Sequence, residues 1–387
     1  MKARFAIVGG GIAGLTAAIG LRKLGYEPII YERTPVLKGI GAGFGLAANA
    51  MHAFDLLGLR QGVEKIGHFL SSYAILDQKG RVIAAPDTAE IAKNFQQLNF
   101  AIHRADLHRF LIDQLPPETI QLGKEALNLE QNKDGIVLHF ADGQKVEAEY
   151  LLITDGVRSK LRQQLIPQSA PRYSGYTCWR AVIDNTDINL KEGSETWGAL
   201  GRFGMTPLVN DKIYWYACIN ASENNPTYAA YKITDLQRHF RSYHTDIQTL
   251  LKNTKDEQLL WNDIIDIKPL DTLAYNRVLL LGDAGHATTP NMGQGACQAI
   301  EDAVVLMDEL KTNPAIETVF QHVNERRLHR TRYITNTSWQ IGKVAQWENR
   351  NLIAVRNFFM RNLPARFMQS KLQQLLSEDF MTINKRR

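Results

Sequence analysis

Three short segments of this 387-residue chain combine glycines and carboxylates at spacings that hold phosphates and hydroxyls. The first is Gly9-Gly10-Gly11-Ile12-Ala13-Gly14, which fits G-x-G-x-x-G. In that pattern Gly9 permits the tight turn after a strand. Gly11 lets the backbone approach a pyrophosphate seated on the following helix N-terminus, and Gly14 lets helix and strand pack closely. Glu32 stands where a carboxylate can hydrogen-bond ribose hydroxyls. A glycine turn without a ligand is the alternative, and it leaves the surrounding context without a purpose. The second segment is Gly282-Asp283-Ala284-Gly285-His286, followed by Pro290-Asn291-Met292-Gly293-Gln294-Gly295-Ala296. Asp283 suits hydroxyls, and Gly293 and Gly295 let the backbone lie against a flat ring. Asp283 could equally be a plain helix N-cap, and His286 reads as support for the turn rather than as a base. The third is Thr154-Asp155-Gly156, with Ser159 and Arg162 behind it, which by itself could be an ordinary turn.

These segments need elements to position them. Phe5–Val8 and Glu27–Tyr31 read as buried parallel strands, with helical spacing over Ile12–Leu24 between them. Strands are also expected at 136–140, 150–153 and 278–281, and helices at 49–59, 105–115 and 293–310. Residues 73–83 read as a hairpin turning at Lys79-Gly80. From Tyr173 to Ala221 aromatics alternate with polar residues, as in antiparallel sheet with one covered face. The expected fold is α/β: a Rossmann-type dinucleotide domain in three pieces (1–72, 98–172 and 270–345), with an inserted mixed, largely antiparallel β-sheet domain (73–97 and 173–269). Helices follow over 346–387.

Composition narrows the class. With 44% hydrophobic and 22% charged residues the chain is an ordinary globular protein, and its net charge of +5 suits anionic ligands weakly. No basic stripe interleaves with aromatics, which argues against nucleic acid. Cys178, Cys218 and Cys297 form no C-x-x-C pair, so neither a disulfide framework nor a structural metal site is expected, and a reducing, cytoplasmic setting fits. No apolar run is long enough to span a bilayer.

Taken together, the three motifs resemble the class A flavoprotein monooxygenases, the p-hydroxybenzoate hydroxylase-like family, from Phe5 to about Arg332. Tyr173-Ser174-Gly175-Tyr176-Thr177-Cys178-Trp179 and the run from Pro290 to Ala303 resemble the branch of urate hydroxylases and zeaxanthin epoxidases. The resemblance implies FAD as cofactor, NAD(P)H as a transient co-substrate, O₂, and hydroxylation through a flavin C4a-hydroperoxide. It also implies FAD contacts from Arg33 and Arg104, a place for the Ala126 backbone beneath the adenine, and FAD contacts along Pro290, Gly293, Gln294, Gly295 and Ala296. Ile153 and Thr154 depart from the family's Gly-Ala before Asp155-Gly156. Arg202 and Tyr214 align with polar active-site positions, Arg202 to hold an anionic group and Tyr214 to orient the substrate. They could instead be a surface cation and a packing aromatic. Trp179 would line the pocket or fill the core. The expected substrate is a small aromatic or heteroaromatic ring. The alternatives are an epoxidase of an unsaturated lipid-like compound, a flavin dehydrogenase that does not use O₂, and a flavin-binding sensor without activity. A monomer or homodimer is expected.

The tail has its own pattern. Leu352, Ile353, Val355, Phe358, Phe359, Leu363 and Phe367 recur at helical spacing, with Arg356, Arg361 and Arg366 between them. Such a helix either rests weakly on an anionic membrane or packs its apolar face on the dinucleotide domain, and the second is the expectation.

Overall fold

Uninterrupted apolar runs make strands that are buried on both faces, and the central sheet is built from them. In the computed structural model, which describes residues 4–37, 42–85, 99–185, 188–363 and 380–381, Phe5–Val8 pairs in parallel with both Ile29–Glu32 and Tyr150–Ile153. Val278–Leu280 and Ile120–Leu122 extend the sheet in parallel on either side. A two-residue strand, Ala274–Tyr275, closes one edge antiparallel. All four residues of Phe5–Val8 and of Tyr150–Ile153 are buried. Because the strands are parallel, the loops that leave Val8, Ile153 and Leu280 emerge along one edge. That edge is where open α/β sheets bind ligands. The second strand starts at Ile29 rather than Glu27, directly after Pro28, which has no N–H to give a ladder.

Helix Ile12–Lys23 lies against helix Gly295–Thr312. At Gly20 the two helices come close enough that a Cβ would make ordinary contact with Ala303 and Met307, at 3.6 Å. A three-stranded meander (126–131, 136–140 and 145–148) and a small sheet of Gly43–Leu46, Phe100–His103 and Gly67–Phe69 flank the core.

The second large sheet has seven strands, in the order 260–266, 172–184, 212–220, 201–208, 193–198, 73–77, 82–84. All neighbours are antiparallel except 193–198 with 73–77. Its two faces differ sharply. Trp179, Phe203, Met205 and Trp215 point to a core closed by helices Ile233–His239 and Thr245–Lys252. Tyr176, Arg180, Arg202, Tyr214 and Tyr216 belong to the other face by the period-2 rule. Trp179 is therefore a core residue.

The expected helix at 293–310 begins instead at Gly295, after a 3₁₀ turn at Pro290–Met292 and a left-handed Gly293 at φ 63°. The chain then continues as Ile316–Ala345 and Arg350–Asn362. This last helix does not pack its apolar face on the dinucleotide domain: Leu352, Val355, Phe358 and Phe359 are exposed, and Arg356 is buried in their place. The guanidinium is worth burying here because it caps three carbonyls, those of Val344, Ala345 and Trp197. Phe367 and Arg366 lie outside the described residues, as does part of the 73–97 segment.

Candidate active site

The first loop is shaped by contacts that only glycine allows. Gly9 has φ 107°, and a Cβ on it would sit 2.5 Å from the Thr154 carbonyl oxygen. A Cβ on Gly14 would lie 2.0 Å from the Gly9 oxygen, so Gly14 is where helix and strand touch. Gly11 is different: its backbone is extended (φ −78°) and no atom lies within 4 Å of its Cβ position. This open side faces the first turn of a helix that has no side-chain cap, which is the arrangement that accepts a phosphate. Ala13 fits the neighbouring motif, with its Cβ 2.7 Å from where one on Gly282 would be. Glu32 braces the loop by accepting from Gly10 N (2.7 Å) and from Thr34 N (2.9 Å). Thr34 Oγ1 also donates to it, at 3.0 Å, and since a carboxylate has about four lone-pair sites, capacity remains for a ligand hydroxyl.

Thr154 explains its own departure from the family pattern. Its Oγ1 lies 2.9 Å from the Val8 oxygen and 2.8 Å from the Gly9 oxygen, tying the third loop to the first. Asp155 follows with Oδ1 buried and without a partner. Burial lifts its carboxyl to about 6, against the opposing pull of Ser159, Arg162 and Arg33. Arg162 is fully buried and donates to the oxygens of Val157 (2.7 Å), Ser169 (3.0 Å) and Ala284 (3.3 Å), joining the third loop to the second. Ser159 caps the short helix Lys160–Leu165 by accepting from Arg162 N.

In the second loop the N-cap is Gly282, at φ 57°, and Asp283 is the first helical residue rather than the cap. Asp283 reaches solvent yet is crowded by protein, as on the floor of a cleft, and that crowding raises its carboxyl despite His286, Arg104 and Arg162. His286 holds the turn, as the sequence suggests: its Nε2 lies 2.6 Å from Asp302. Burial opposes ionisation of Asp302, but His286, Arg327 and the Gly282 amide outweigh it and hold the carboxyl at about 2. Beyond it, Glu301 is fully buried between Arg327 and Arg330. Gly293 has nothing within 4 Å of its Cβ position, and Gly295 has only Thr288 and Asp283, at 3.8 and 3.9 Å. Pro290 is exposed and Ala296 half-buried. Gln294 is buried and bonded to Asn49 and Gln298, so it can offer only its backbone to the cleft.

Arg33 and Arg104 are exposed on either side of this edge, and Ala126 is buried in its strand. His108 escaped sequence reading: its Nε2 lies 2.7 Å from the Gly10 oxygen. The signal was present, since it stands one helical turn after Arg104 and so on the same face. The glycine cradle open at Gly11 and Gly293, with carboxylates Glu32, Asp155 and Asp283 around it, fits a dinucleotide whose second half is a flat ring.

The sheet face opposite this edge meets the same loops. Tyr176 donates to Asn291 Oδ1 (3.2 Å), and Asn291 in turn donates to Thr289 and the Ser338 carbonyl. The ring of Tyr214 lies against Gly43, where a Cβ would be 2.6 Å away. Arg180 hydrogen-bonds to Tyr214, and the hydroxyls of Tyr73 and Tyr216 are 3.3 Å apart. Burial pushes the Tyr214 and Tyr216 hydroxyls well above their ordinary range, so they stay protonated. Arg202 is no surface cation. It is 2% exposed, pairs with Glu195 at 3.1 Å and donates from Nε to Gln346 at 3.0 Å. A cavity of about 520 Å³ opens beside it, lined in part by Ser174, Tyr176, Asn220, Lys343 and Gln346.

The family described as FAD binding domain matches residues 2–332. The chain belongs to this family. Aurachin C monooxygenase/isomerase of Stigmatella aurantiaca is 35% identical over 92% of this chain and 93% of its own length. The 2-heptyl-3-hydroxy-4(1H)-quinolone synthase of Pseudomonas aeruginosa is 28% identical over 92% and 94%. In fold, Klebsiella pneumoniae HpxO, solved with FAD and uric acid, superposes with a TM-score of 0.90 at 24% identity, covering 97% of each chain. The chain is a class A flavin-dependent monooxygenase, with FAD as its cofactor. No helix among the described residues is long and apolar enough to cross a membrane.

Proposed function

We propose that this enzyme hydroxylates a small aromatic or heteroaromatic ring carrying a hydrogen-bonding group, using O₂ and NAD(P)H. Residues 1–72, 98–172 and 270–345 hold FAD, and 73–97 and 173–269 hold the substrate. The observation that carries this reading is the face of the seven-stranded sheet that bears Tyr176, Arg180, Tyr214 and Tyr216. Through Tyr176 and Asn291 it meets the same loop whose glycines leave room for a flat ring. The names of the aurachin C and quinolone relatives are in keeping with a ring substrate.

When bound, FAD reduced by NAD(P)H supplies the activation of O₂. The protein's own residues do the rest. The Gly11 side of the first loop receives the pyrophosphate and Glu32 the ribose, while Arg33, Arg104 and Ala126 flank the adenosine half. Asp155 and Asp283 take hydroxyls of the chain between phosphate and ring, and the Pro290–Ala296 backbone faces the ring itself. Amides at the start of helix Gly295–Thr312 stabilise negative charge there. Tyr214 and Tyr216 wall the substrate as neutral donors, and Arg180 supplies the cation next to Tyr214. Arg202 frames the pocket as a pair with Glu195, so a ligand reaching it meets a neutralised charge. Closing this face excludes water. Screening ring compounds for stimulated NAD(P)H oxidation with O₂ uptake tests the proposal, and no stimulation by any ring compound would refute it.

A further inference from the structure

The C-terminal helix Arg350–Asn362 is inside out. Leu352, Val355, Phe358 and Phe359, spaced along one stripe, are 46, 51, 62 and 61% exposed. Arg356 faces inward instead, while Arg361, itself exposed, folds back onto the sheet. Arg356 is buried against the Val344, Ala345 and Trp197 carbonyls, and Arg361 reaches Asp77 at 2.8 Å and the Val82 carbonyl. Val82 and Val344, whose carbonyls these arginines hold, are themselves exposed. Half of the large exposed hydrophobics among the described residues thus sit on this helix or beside its anchors. Scattered apolar residues need no explanation, but a gathered patch does.

Charge identifies the occupant. Residues 350–387 hold eight basic and two acidic side chains; Arg356 and Arg361 are engaged within the protein, and the remaining six basic side chains still leave the stretch at about +4 in a chain whose net charge is +5. Everything before it is close to neutral. Exposed phenylalanines on a strongly basic segment match the interface of an anionic bilayer, which offers apolar depth and negative headgroups together. A second copy fits worse, since a two-fold contact would bring two such basic segments together. We propose that this helix seats the enzyme on an anionic lipid surface. The helix also packs on strand 82–84, the edge of the substrate sheet, and on Trp197 near it, through Met360 and the Arg356 guanidinium 5.2 Å from the Trp197 ring. Docking therefore sets that edge against the bilayer, where a lipid-dissolved substrate would enter. This consequence rests on the proposed function, whereas docking itself does not.

Co-sedimentation of the full-length, FAD-loaded protein with vesicles tests it. Vesicles of mixed phosphatidylglycerol and phosphatidylcholine should pellet the protein at physiological salt, and phosphatidylcholine alone should not. Phe358→Ser combined with Phe359→Ser should weaken pelleting about tenfold or more. Both side chains lie mostly in solvent, so the flavin spectrum and melting temperature should stay unchanged. Absence of pelleting, equal pelleting by the double variant, or a concentration-dependent dimer that the double variant abolishes would overturn the proposal. None of these readouts requires turnover, so they separate docking from the reaction.

Discussion

Replacing Arg202 separates two roles that the residue could have. As the holder of an anionic substrate it would raise KM on removal and leave the fold alone. The structure makes it half of a buried pair: 2% exposed, 3.1 Å from Glu195, with Gln346 on its Nε. Arg202→Met keeps the aliphatic bulk and strips the charge, leaving the Glu195 carboxylate buried with no cation. Losing one partner of such a pair costs about 3–5 kcal/mol. Glu195→Gln should cost less on its own, because the amide oxygen still accepts from Arg202. Combining Arg202→Met with Glu195→Leu removes both charges, and buried pairs replaced by apolar residues are often neutral in stability. The double variant should therefore recover most of the loss, with a coupling energy of about 2 kcal/mol or more. Denaturant unfolding of the FAD-loaded wild type, Arg202→Met, Glu195→Leu and the double variant measures the four corners of the cycle, with Glu195→Gln as a separate control. If Arg202→Met changes stability by less than about 1 kcal/mol while KM rises strongly, the paired-charge reasoning is wrong and Arg202 is the anion holder.

Three further outcomes follow from the loops. A Cβ on Gly11 meets no protein atom within 4 Å and φ there is ordinary, so Gly11→Val apoprotein should fold with a nearly unchanged melting curve and yet retain no FAD; a yellow Gly11→Val protein would contradict the placement of the pyrophosphate. Asp283→Ala should stay folded, since Gly282 and not Asp283 is the cap, and should lose about tenfold in FAD affinity by titration of the apoprotein. For Asp155 the folded carboxyl titrates at about 6, above its unfolded value of 3.8. The contribution of Asp155 to apoprotein stability is therefore fully present below 3.8 and is lost as pH rises through about 6. Asp155→Asn should stabilise the apoprotein by about 1–3 kcal/mol at pH 8 and change little near pH 3.5, as urea midpoints at the two pH values will show.

The dinucleotide half was legible because its signals are local. A short apolar run, three glycines and a carboxylate on the next strand describe one unit without reference to anything distant. What escaped reading lies between segments far apart in the chain. Arg162 joins its own loop to the carbonyl of Ala284, and Thr154 bonds to Val8 and Gly9. Neither partner is implied by the residue's neighbours. In the seven-stranded sheet, alternation separated Tyr214 and Tyr216 from Trp215, but which face would be covered depends on helices 233–239 and 245–252. Arg202 was read as free because Glu195 lies across a hairpin from it and Gln346 caps the end of a remote helix. The tail helix shows the same limit. Its amphipathic pattern was evident, but burial of Arg356 followed from three carbonyls that only the fold brings together.

The central claim, oxygen transfer from O₂ to a ring compound, has one direct test. The FAD-loaded enzyme is supplied with NAD(P)H, ¹⁸O₂ and a ring compound that stimulates NAD(P)H oxidation, and the product is weighed by mass spectrometry. The account predicts one ¹⁸O atom in each product molecule and no turnover without O₂. Product carrying only oxygen from water, or full turnover under anaerobic conditions, would contradict it.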